Sequence, residues 1–386
     1  MPSATDVRRR RLTAICAVAG AAFAMGATFG AAAGEERSVA VSPSATTQPP
    51  GETPAPGATP TATPAPVDSL SLQQQVGRLV VLRFNGTTVP SYVRKVLRNG
   101  WASGAILFKE NVSSPGQLAA LTAALRKSGQ AGGAMPIVCT DQEGGVIRNV
   151  TWAPPSVAQS GQVPGRDAKA AAVALRRGGI NVSLAPVADV PSVDGAAMGG
   201  REFSRDPARV STATRAAIGG WLAGGVKPTV KHFPGLGGAI VNTDQGSATI
   251  RAGAPTSADL APFKAAIAAK VPIVMSSHAV YPRLDARHIA SQSPAILKTL
   301  LRDQLGFTGV VMTDSAEAAA VRSTGSTEQV AVRSVRAGND IVLTTGQGSW
   351  IRAYRALLAE ARSSKSFRAL VRESAARVLT LQQTLG

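Results

Sequence analysis

Residues 226–235 read "VKPTVKHFPG", an apolar, β-rich run that ends in Lys231 and His232 and is interrupted by Pro234. A run of this composition is expected to be a buried strand. Buried ionisable groups are costly unless they are paired, and proline does not continue a sheet ladder. The run therefore predicts a strand that presents two polar side chains at its carboxyl end.

The same arrangement recurs along the chain. From Gln73 onward, β-rich runs alternate with amphipathic helical stretches, several with a Ser or Asp start signal and a Gly stop signal. This alternation is typical of βα units and a parallel sheet. Eight such units over roughly 310 residues predict an α/β fold, a single TIM-type (β/α)8 barrel. The runs are "VGRLVVLRF" (76–84), "SGAILF" (103–108), "MPIVCT" (135–140), "INVSLAPV" (180–187), "KPTVK" (227–231), "PIVMSS" (272–277), "GVVMT" (309–313) and "DIVLTT" (340–345).

Polar residues follow five of these runs, where barrel enzymes place their catalytic groups. A simpler interpretation is that single members of this set only pair with one another at the barrel rim, but the set as a whole favours an active site. A doubly wound open sheet would be expected to have a Gly-rich phosphate turn after its first strand, and "LVVLRFNGTTVP" (79–90) has no GxGxxG. The polar groups are Asp141-Gln142-Glu143, Asp189, Lys231-His232, His278 and Asp314.

Composition restricts the partners. The 41 Lys plus Arg against 23 Asp plus Glu give a formal net charge of +18, which favours polyanionic surroundings such as an anionic cell wall. Aromatic residues make up only 4 %, and no predicted helix concentrates Lys and Arg with interleaved aromatic residues, so no nucleic acid is expected as a partner. Cys16 and Cys139 both lie in apolar settings, and Cys139 is expected to be buried in a strand.

The first 68 residues are predicted to lie outside the folded domain. Arg8 to Arg11 precede an uncharged, Ala-rich run from Leu12 to Ala33, the pattern of an export signal that engages the membrane and is either cleaved or kept as an anchor. Residues 1–40 are therefore predicted to be a signal peptide or membrane anchor. Residues 41–68, rich in Pro and Thr, are predicted to be a disordered linker. The barrel domain is expected to span 69–386.

Six motifs, in order and at suitable spacing, resemble the barrel domain of glycoside hydrolase family 3. The resemblance covers the chain from about Ser69 to its end, and it is greatest to the single-domain bacterial β-N-acetylglucosaminidases. The motifs are "TDQEGGVIR" (140–148), "GGREFSRDP" (199–207), "KHFPGLG" (231–237), "MSSHAVYPRLD" (275–285), "GVVMTD" (309–314) and "AGNDIVL" (337–343).

The resemblance implies an exported, retaining exo-β-glycosidase that acts on N-acetylglucosaminyl residues of peptidoglycan or related glycans. Asp314 would be the nucleophile that forms the glycosyl-enzyme. Glu143 and Asp340 lie within the motifs but are expected to be structural. No cofactor is implied, and a monomer is expected. The pocket for the non-reducing sugar would be lined by Asp141, Arg148, Arg201, Lys231, His232 and His278.

The chain departs from the family pattern in the loop after the fifth strand. The N-acetylglucosaminidases of the family typically read KHFPGHG and then DSH, whose Asp-His pair supplies the general acid/base. Here Leu236 replaces the second His of KHFPGHG, Asn242 replaces the Asp of DSH, and Asp244 replaces its His. None of the three histidines of the chain lies in this loop. Three possibilities stay open: Asp244 acts as a carboxylic acid/base, an acid comes from Glu317 or a partner protein, or the site binds sugar and turns it over poorly.

Two other functional classes are weighed against the glycosidase. A non-catalytic sugar-binding or wall-binding protein on the same barrel is favoured by the missing histidine and disfavoured by the presence of Asp314 and Asp141. A metal-dependent hydrolase has little support, because no HxH pair follows the first strand and no HExxH occurs. We therefore predict Asp314 and Asp244 as the catalytic residues and no metal site.

Overall fold

Each of the eight β-rich runs corresponds to one strand of a single parallel sheet in the computed structural model, which describes residues 66–386 except Ala252. The predicted export segment and most of the predicted linker lie outside the described residues. The eight strands are β1 (Val80–Arg83), β2 (Gly104–Ile106), β3 (Ile137–Thr140), β4 (Val182–Ser183), β5 (Lys227–Phe233), β6 (Ile273–Ser276), β7 (Val310–Thr313) and β8 (Val342–Leu343).

The strands pair in the order of a barrel. Hydrogen-bonded neighbours follow the sequence from β1 to β7, and β8 pairs in parallel with β1, Val80 being opposite Val342. A parallel bridge between Met312 in β7 and Ile341, just before β8, joins the two remaining edges. The predicted (β/α)8 barrel is therefore confirmed.

Helices surround the sheet and begin at the signals that the sequence offers. Ser114 accepts a hydrogen bond from the N–H of Gln117 before a helix with proline in its first turn, and Asp206 does the same for Ala208. The helices are α1 (Leu72–Arg78), α2 (Ser91–Arg98), α3 (Pro115–Ala131), α4 (Pro164–Arg177), α5 (Pro207–Ala223), α6 (Ser257–Ala268), a π-helical segment (Ala295–Gln304), α7 (Ala319–Arg322), α8 (Thr327–Ala337), α9 (Ser349–Ser363) and α10 (Lys365–Gln383).

Apolar side chains fill the barrel interior and the space between sheet and helices. The interior cluster includes Val81, Val182, Ile273 and Met312 from four different strands. Cys139 belongs to this cluster and is buried, as the sequence predicts. Because the strands are packed on both sides, the polar groups that follow them are left at one end of the barrel.

Two boundaries differ from the sequence-based prediction. The run 76–84 was expected to be one strand, but Leu72–Arg78 is helix α1, and the strand begins only at Val80. The reason is a capping box in which Ser71 and Gln74 each bond the other's backbone, so the helix extends into the apolar run. Residues 66–69, assigned mainly to the linker, form a short 3₁₀ helix in which Val67 is buried and Asp68 pairs with Arg372.

Within the described residues, none of the helices has the length and apolar character needed to cross a membrane.

Candidate active site

A cavity of about 390 Å³ opens at the carboxyl ends of the barrel strands. Four of its apolar lining residues come from the even-numbered strands or the positions just after them: Ile106, Leu184, Met275 and Leu343. Polar groups of the odd-numbered strands stand among them, at or just beyond the strand ends: Arg83, Asp141, Lys231, His232 and Asp314. Strand geometry alone thus brings together groups that are far apart in sequence.

Lys231 is the centre of a buried ion-pair network. Its Nζ lies 2.7 Å from Asp141 Oδ1 and 2.6 Å from Glu143 Oε1. Arg201 donates to both oxygens of Glu143, at 2.7 and 2.9 Å. Burial by itself raises the pKa of Glu143, but the charges of Lys231 and Arg201 outweigh it and lower the pKa to about 2. Glu143 therefore stays ionised and holds the side chains of Lys231 and Arg201 in place. Glu143 does not line the cavity, but Asp141, Lys231 and Arg201 do.

His232 lies between two carboxylates. Its Nδ1 is 2.6 Å from Asp189 Oδ2, and its Nε2 is 3.7 Å from Asp314 Oδ2. Asp189 is fully buried and also accepts hydrogen bonds from the backbone N–H groups of His232 and Leu236. The ring is therefore fixed in orientation, with Nε2 directed at the cavity side.

Asp314 has the environment of a carboxylate that stays ionised. Burial raises its pKa, but the nearby His232, His278 and Lys231, together with the N–H of Ser315 at 2.7 Å from Oδ1, shift the pKa below its ordinary value. An ionised carboxylate at the base of a sugar-sized cavity can act as a nucleophile toward an anomeric carbon.

Asp244 has the opposite shift. Burial and then the negative charge of Asp314 raise its pKa, which the neighbouring cations oppose only partly. The residue lies at the cavity mouth and is exposed. Two carboxylates whose pKa values are pushed apart form the arrangement that assigns an acid and a base in glycosidases.

The loop that carries Asp244 is attached to the segment after Asp314. The carbonyl of Thr243 accepts from the N–H of Ala320 at 3.0 Å, and that of Asp244 accepts from Ala319 at 3.3 Å. Asn242 Oδ1 accepts from the N–H of Asp244 at 2.9 Å and tightens the turn. Both carboxylates are therefore supported by one connected backbone unit.

Two residues predicted to line the sugar pocket lie elsewhere. Arg148 is on a two-stranded hairpin, Gln142–Gly144 with Ile147–Arg148, and there Ile147 lines the cavity instead. His278 is buried outside the lining, where its Nε2 donates to the carbonyl of Ser315 at 2.9 Å and its Nδ1 lies 2.8 Å from Ser291 Oγ. Burial lowers the pKa of His278, so a neutral ring that orients the residue after Asp314 is consistent with these contacts.

The alternative acid Glu317 does not line the cavity. Its Oε2 accepts from the N–H of Thr345 at 2.6 Å and from the Thr345 hydroxyl at 3.0 Å. These bonds tie the segment after β7 to the residues after β8, which is a structural contact.

The sequence analysis missed Arg83, which ends β1 and lines the cavity. Its guanidinium lies 2.6 Å from Glu110 Oε1, donates to the carbonyl of Thr345 at 3.0 Å and stacks over the Phe108 ring at 5.0 Å. The signal was available, because "VLRF" is another apolar run that ends in a charged residue. Within residues 66–386 as described, no cluster of His, Cys, Asp or Glu has the arrangement of a metal site.

A barrel with two carboxylates at the carboxyl end of its strands is an arrangement that glycoside hydrolases use, and comparison with known proteins specifies the class and the family. Residues 71–381 match the model of the glycosyl hydrolase family 3 N-terminal domain. The chain belongs to glycoside hydrolase family 3 and is a glycoside hydrolase.

Curated relatives and solved structures agree with this assignment. An uncharacterized secreted glycosyl hydrolase of Arthroderma benhamiae is 34 % identical over 75 % of this chain and 86 % of its own length. A β-hexosaminidase of Xanthomonas oryzae is 34 % identical over 69 % of this chain and 83 % of its own. The crystal structure of the β-N-acetylhexosaminidase of Beutenbergia cavernae superposes with a TM-score of 0.74 at 32 % identity, covering 82 % of this chain and 99 % of that one.

Proposed function

We propose that this protein is a retaining exo-β-glycosidase that releases terminal N-acetylglucosaminyl residues. The observation that carries the proposal is the pair Asp314 and Asp244 on one cavity, with pKa values shifted in opposite directions. The names of the β-hexosaminidase of Xanthomonas oryzae and of the β-N-acetylhexosaminidase of Beutenbergia cavernae support the choice of sugar.

The reaction proceeds in two balanced steps. An oxygen of Asp314 attacks the anomeric carbon while the glycosidic bond breaks, and Asp244 gives its proton to the departing oxygen. Asp244 then takes a proton from water, whose oxygen attacks the anomeric carbon and releases Asp314. Two inversions at the same carbon retain the β-configuration.

The network around Lys231 holds the sugar. Asp141 accepts hydrogen bonds from sugar hydroxyls, while Lys231, Arg201 and His232 bind other hydroxyls. The apolar floor formed by Ile106, Leu184, Met275 and Leu343 closes the cavity at the barrel interior, so a chain end enters and an internal residue does not.

The natural substrate is a glycan outside the cell, peptidoglycan or a related polymer. The predicted export segment supports this location, and one relative is described as a secreted glycosyl hydrolase. The net charge of +18 favours adsorption on an anionic wall.

The experiment is trapping with an activated 5-fluoro glycosyl fluoride that keeps the 2-acetamido group, followed by peptide mass mapping. The expected adduct lies on the tryptic peptide of residues 303–322, and fragmentation places it on Asp314 rather than on Asp303 or Glu317. An adduct on another residue would overturn the assignment. Wild-type protein that binds N-acetylglucosamine without trapping the label or hydrolysing aryl glycosides would favour the alternative, a sugar-binding protein with weakened catalysis, which the exposed position of Asp244 supports.

A further inference from the structure

Asp189 is a fully buried carboxylate whose contacts all go to one segment of the active site. Oδ1 accepts the N–H of His232 at 3.1 Å and of Leu236 at 2.7 Å, and Oδ2 lies 2.6 Å from His232 Nδ1. Within the part of the chain that the structure describes, His232 is its only ion-pair partner. The carboxylate thus connects His232, near the end of β5, to Leu236, at the start of the loop that leads to Asp244.

A purely structural role does not explain the carboxylate. Accepting two backbone N–H groups requires one oxygen, which an amide or a hydroxyl also supplies. The second oxygen faces an imidazole, and burying a full negative charge with no lysine or arginine at ion-pair distance is costly. What a carboxylate adds over an amide is an acceptor opposite Nδ1, which keeps the ring proton on that nitrogen.

We infer that Asp189 is a positioning residue of the active site, which keeps a proton on Nδ1 of His232 in both the neutral and the charged ring and so directs Nε2 to the sugar and to Asp314. Through the N–H of Leu236, Asp189 also holds the start of the loop that carries Asp244. The inference rests on the proposed function for its effect on turnover, but its effect on the ring is independent of substrate.

The test is Asp189→Asn, which is nearly isosteric. The amide oxygen retains the two backbone bonds, and the amide NH₂ takes the place of Oδ2, donates to Nδ1 and forces the proton onto Nε2. The analogous change in the serine protease triad lowers kcat by roughly 10⁴-fold through the wrong tautomer. Here we expect a decrease in kcat of about 10²-fold or more, with little change in Tm.

Asp285→Asn is a matched control. Asp285 accepts the N–H groups of Arg287 and His288 on Oδ1 and lies 3.0 Å from His288 Nδ1 through Oδ2. This pair has the same carboxylate–imidazole contact as Asp189 and His232, with an added bond from Ser293 Oγ to Oδ2 at 2.7 Å, and neither residue lines the cavity. Asp285→Asn should leave kcat unchanged.

The tautomer of the His232 ring can be measured directly by ¹H–¹⁵N NMR, because the chain has only three histidines. At alkaline pH, the His232 proton should reside on Nδ1 in the wild type and on Nε2 in Asp189→Asn. A His232 tautomer that is the same in both proteins would overturn the inference, as would a loss of kcat that merely parallels a loss of folded protein. The expected change in tautomer with a wild type that hydrolyses no glycoside would support the positioning of His232 and contradict the proposed function.

Discussion

Asp314 and Asp244 carry the same functional group, and only their surroundings separate their chemistry. Asp314 is held ionised by His232, Lys231 and the N–H of Ser315, whereas Asp244 faces the charge of Asp314. A general acid must be protonated at working pH, and a nucleophile must not be. The shifts therefore agree with the roles that we propose, and they widen the pH range in which Asp244 is protonated while Asp314 is ionised.

Asp314→Asn should lower turnover of activated aryl N-acetylglucosaminides by at least about 10³-fold, on the scale seen when other catalytic nucleophiles are removed. The amide cannot form the covalent intermediate, while its size leaves the fold intact. Steady-state rates measured beside the melting temperature check this. Asp303→Asn, an exposed change in the same tryptic peptide, should leave the rate unchanged. Substantial activity in Asp314→Asn would place the nucleophile elsewhere.

Asp244→Ala should slow substrates with poor leaving groups by roughly 10²- to 10⁴-fold and those with good leaving groups far less, because only the former need a proton. Azide should partly restore turnover, since it attacks without a base. The pKa of Asp244 is raised, so its protonated form persists to higher pH. The alkaline limb of kcat/KM in the wild type therefore reflects loss of this proton and should disappear in the variant.

The control for this prediction is Gln245→Ala, an exposed neighbour in the same loop that does not line the cavity. It should leave both the leaving-group dependence and the pH profile unchanged. Equal slowing of all substrates by Asp244→Ala, without rescue by azide, would make Asp244 a structural residue.

At the residue scale, the sequence predicts which strand ends hold polar groups, but not which way each side chain points. Lys231 belongs to a strand, and its direction follows from the barrel. Arg148 and His278 lie beyond their strands, where a hairpin and a bond to Ser315 decide the direction. Local loop geometry of this kind has no periodic signal in the sequence.

At the scale of elements, all eight strands were predictable because buried parallel strands are short apolar runs. The ends of the strands were less predictable, because a capping box such as that of Ser71 and Gln74 favours a helix in residues that also have β-propensity. The attachment of helices to the barrel depends instead on single buried polar groups.

Asp340 is such a group, and it links three elements. It is fully buried, and it accepts from Arg302 and the N–H of Val311 on one oxygen and from Ser374 and Arg377 on the other. Asp340 thereby attaches α10 and the π-helical segment to β7.

Asp340→Ala should cost about 3–5 kcal/mol in the free energy of unfolding, because it leaves Arg302 partly buried without its partner. Denaturant unfolding measures this, and the folded fraction should keep its kcat. Glu373→Ala removes only an exposed contact, 3.7 Å from Arg377, and should change stability by about 0–1 kcal/mol. Similar small effects of both variants would show that Asp340 does not hold the helices.

At the scale of the whole molecule, the boundary between the predicted linker and the barrel domain is set by contacts that composition does not reveal. The Pro/Thr-rich pattern continues to Pro66, and the sequence predicts a domain start near Ser69. Val67 is nevertheless 2 % exposed, and its carbonyl accepts hydrogen bonds from the side chain of Gln75 and the N–H of Leu70. Asp68 pairs with Arg372 at 2.6 Å, on the last helix of the chain.

Two shortened proteins separate these boundaries. A chain that begins at Pro66 should keep the Tm and the kcat of the longer protein, because a Pro/Thr-rich segment is expected to contribute few buried contacts. A chain that begins at Leu70 retains the Ser71 cap of α1 but lacks the buried Val67, and should lose roughly 1.5–3 kcal/mol of stability. Thermal unfolding of both chains measures the difference. If the chain from Pro66 loses its cooperative transition, residues 1–65 contribute to folding, and if both chains melt alike, Val67 and Asp68 add nothing to the barrel.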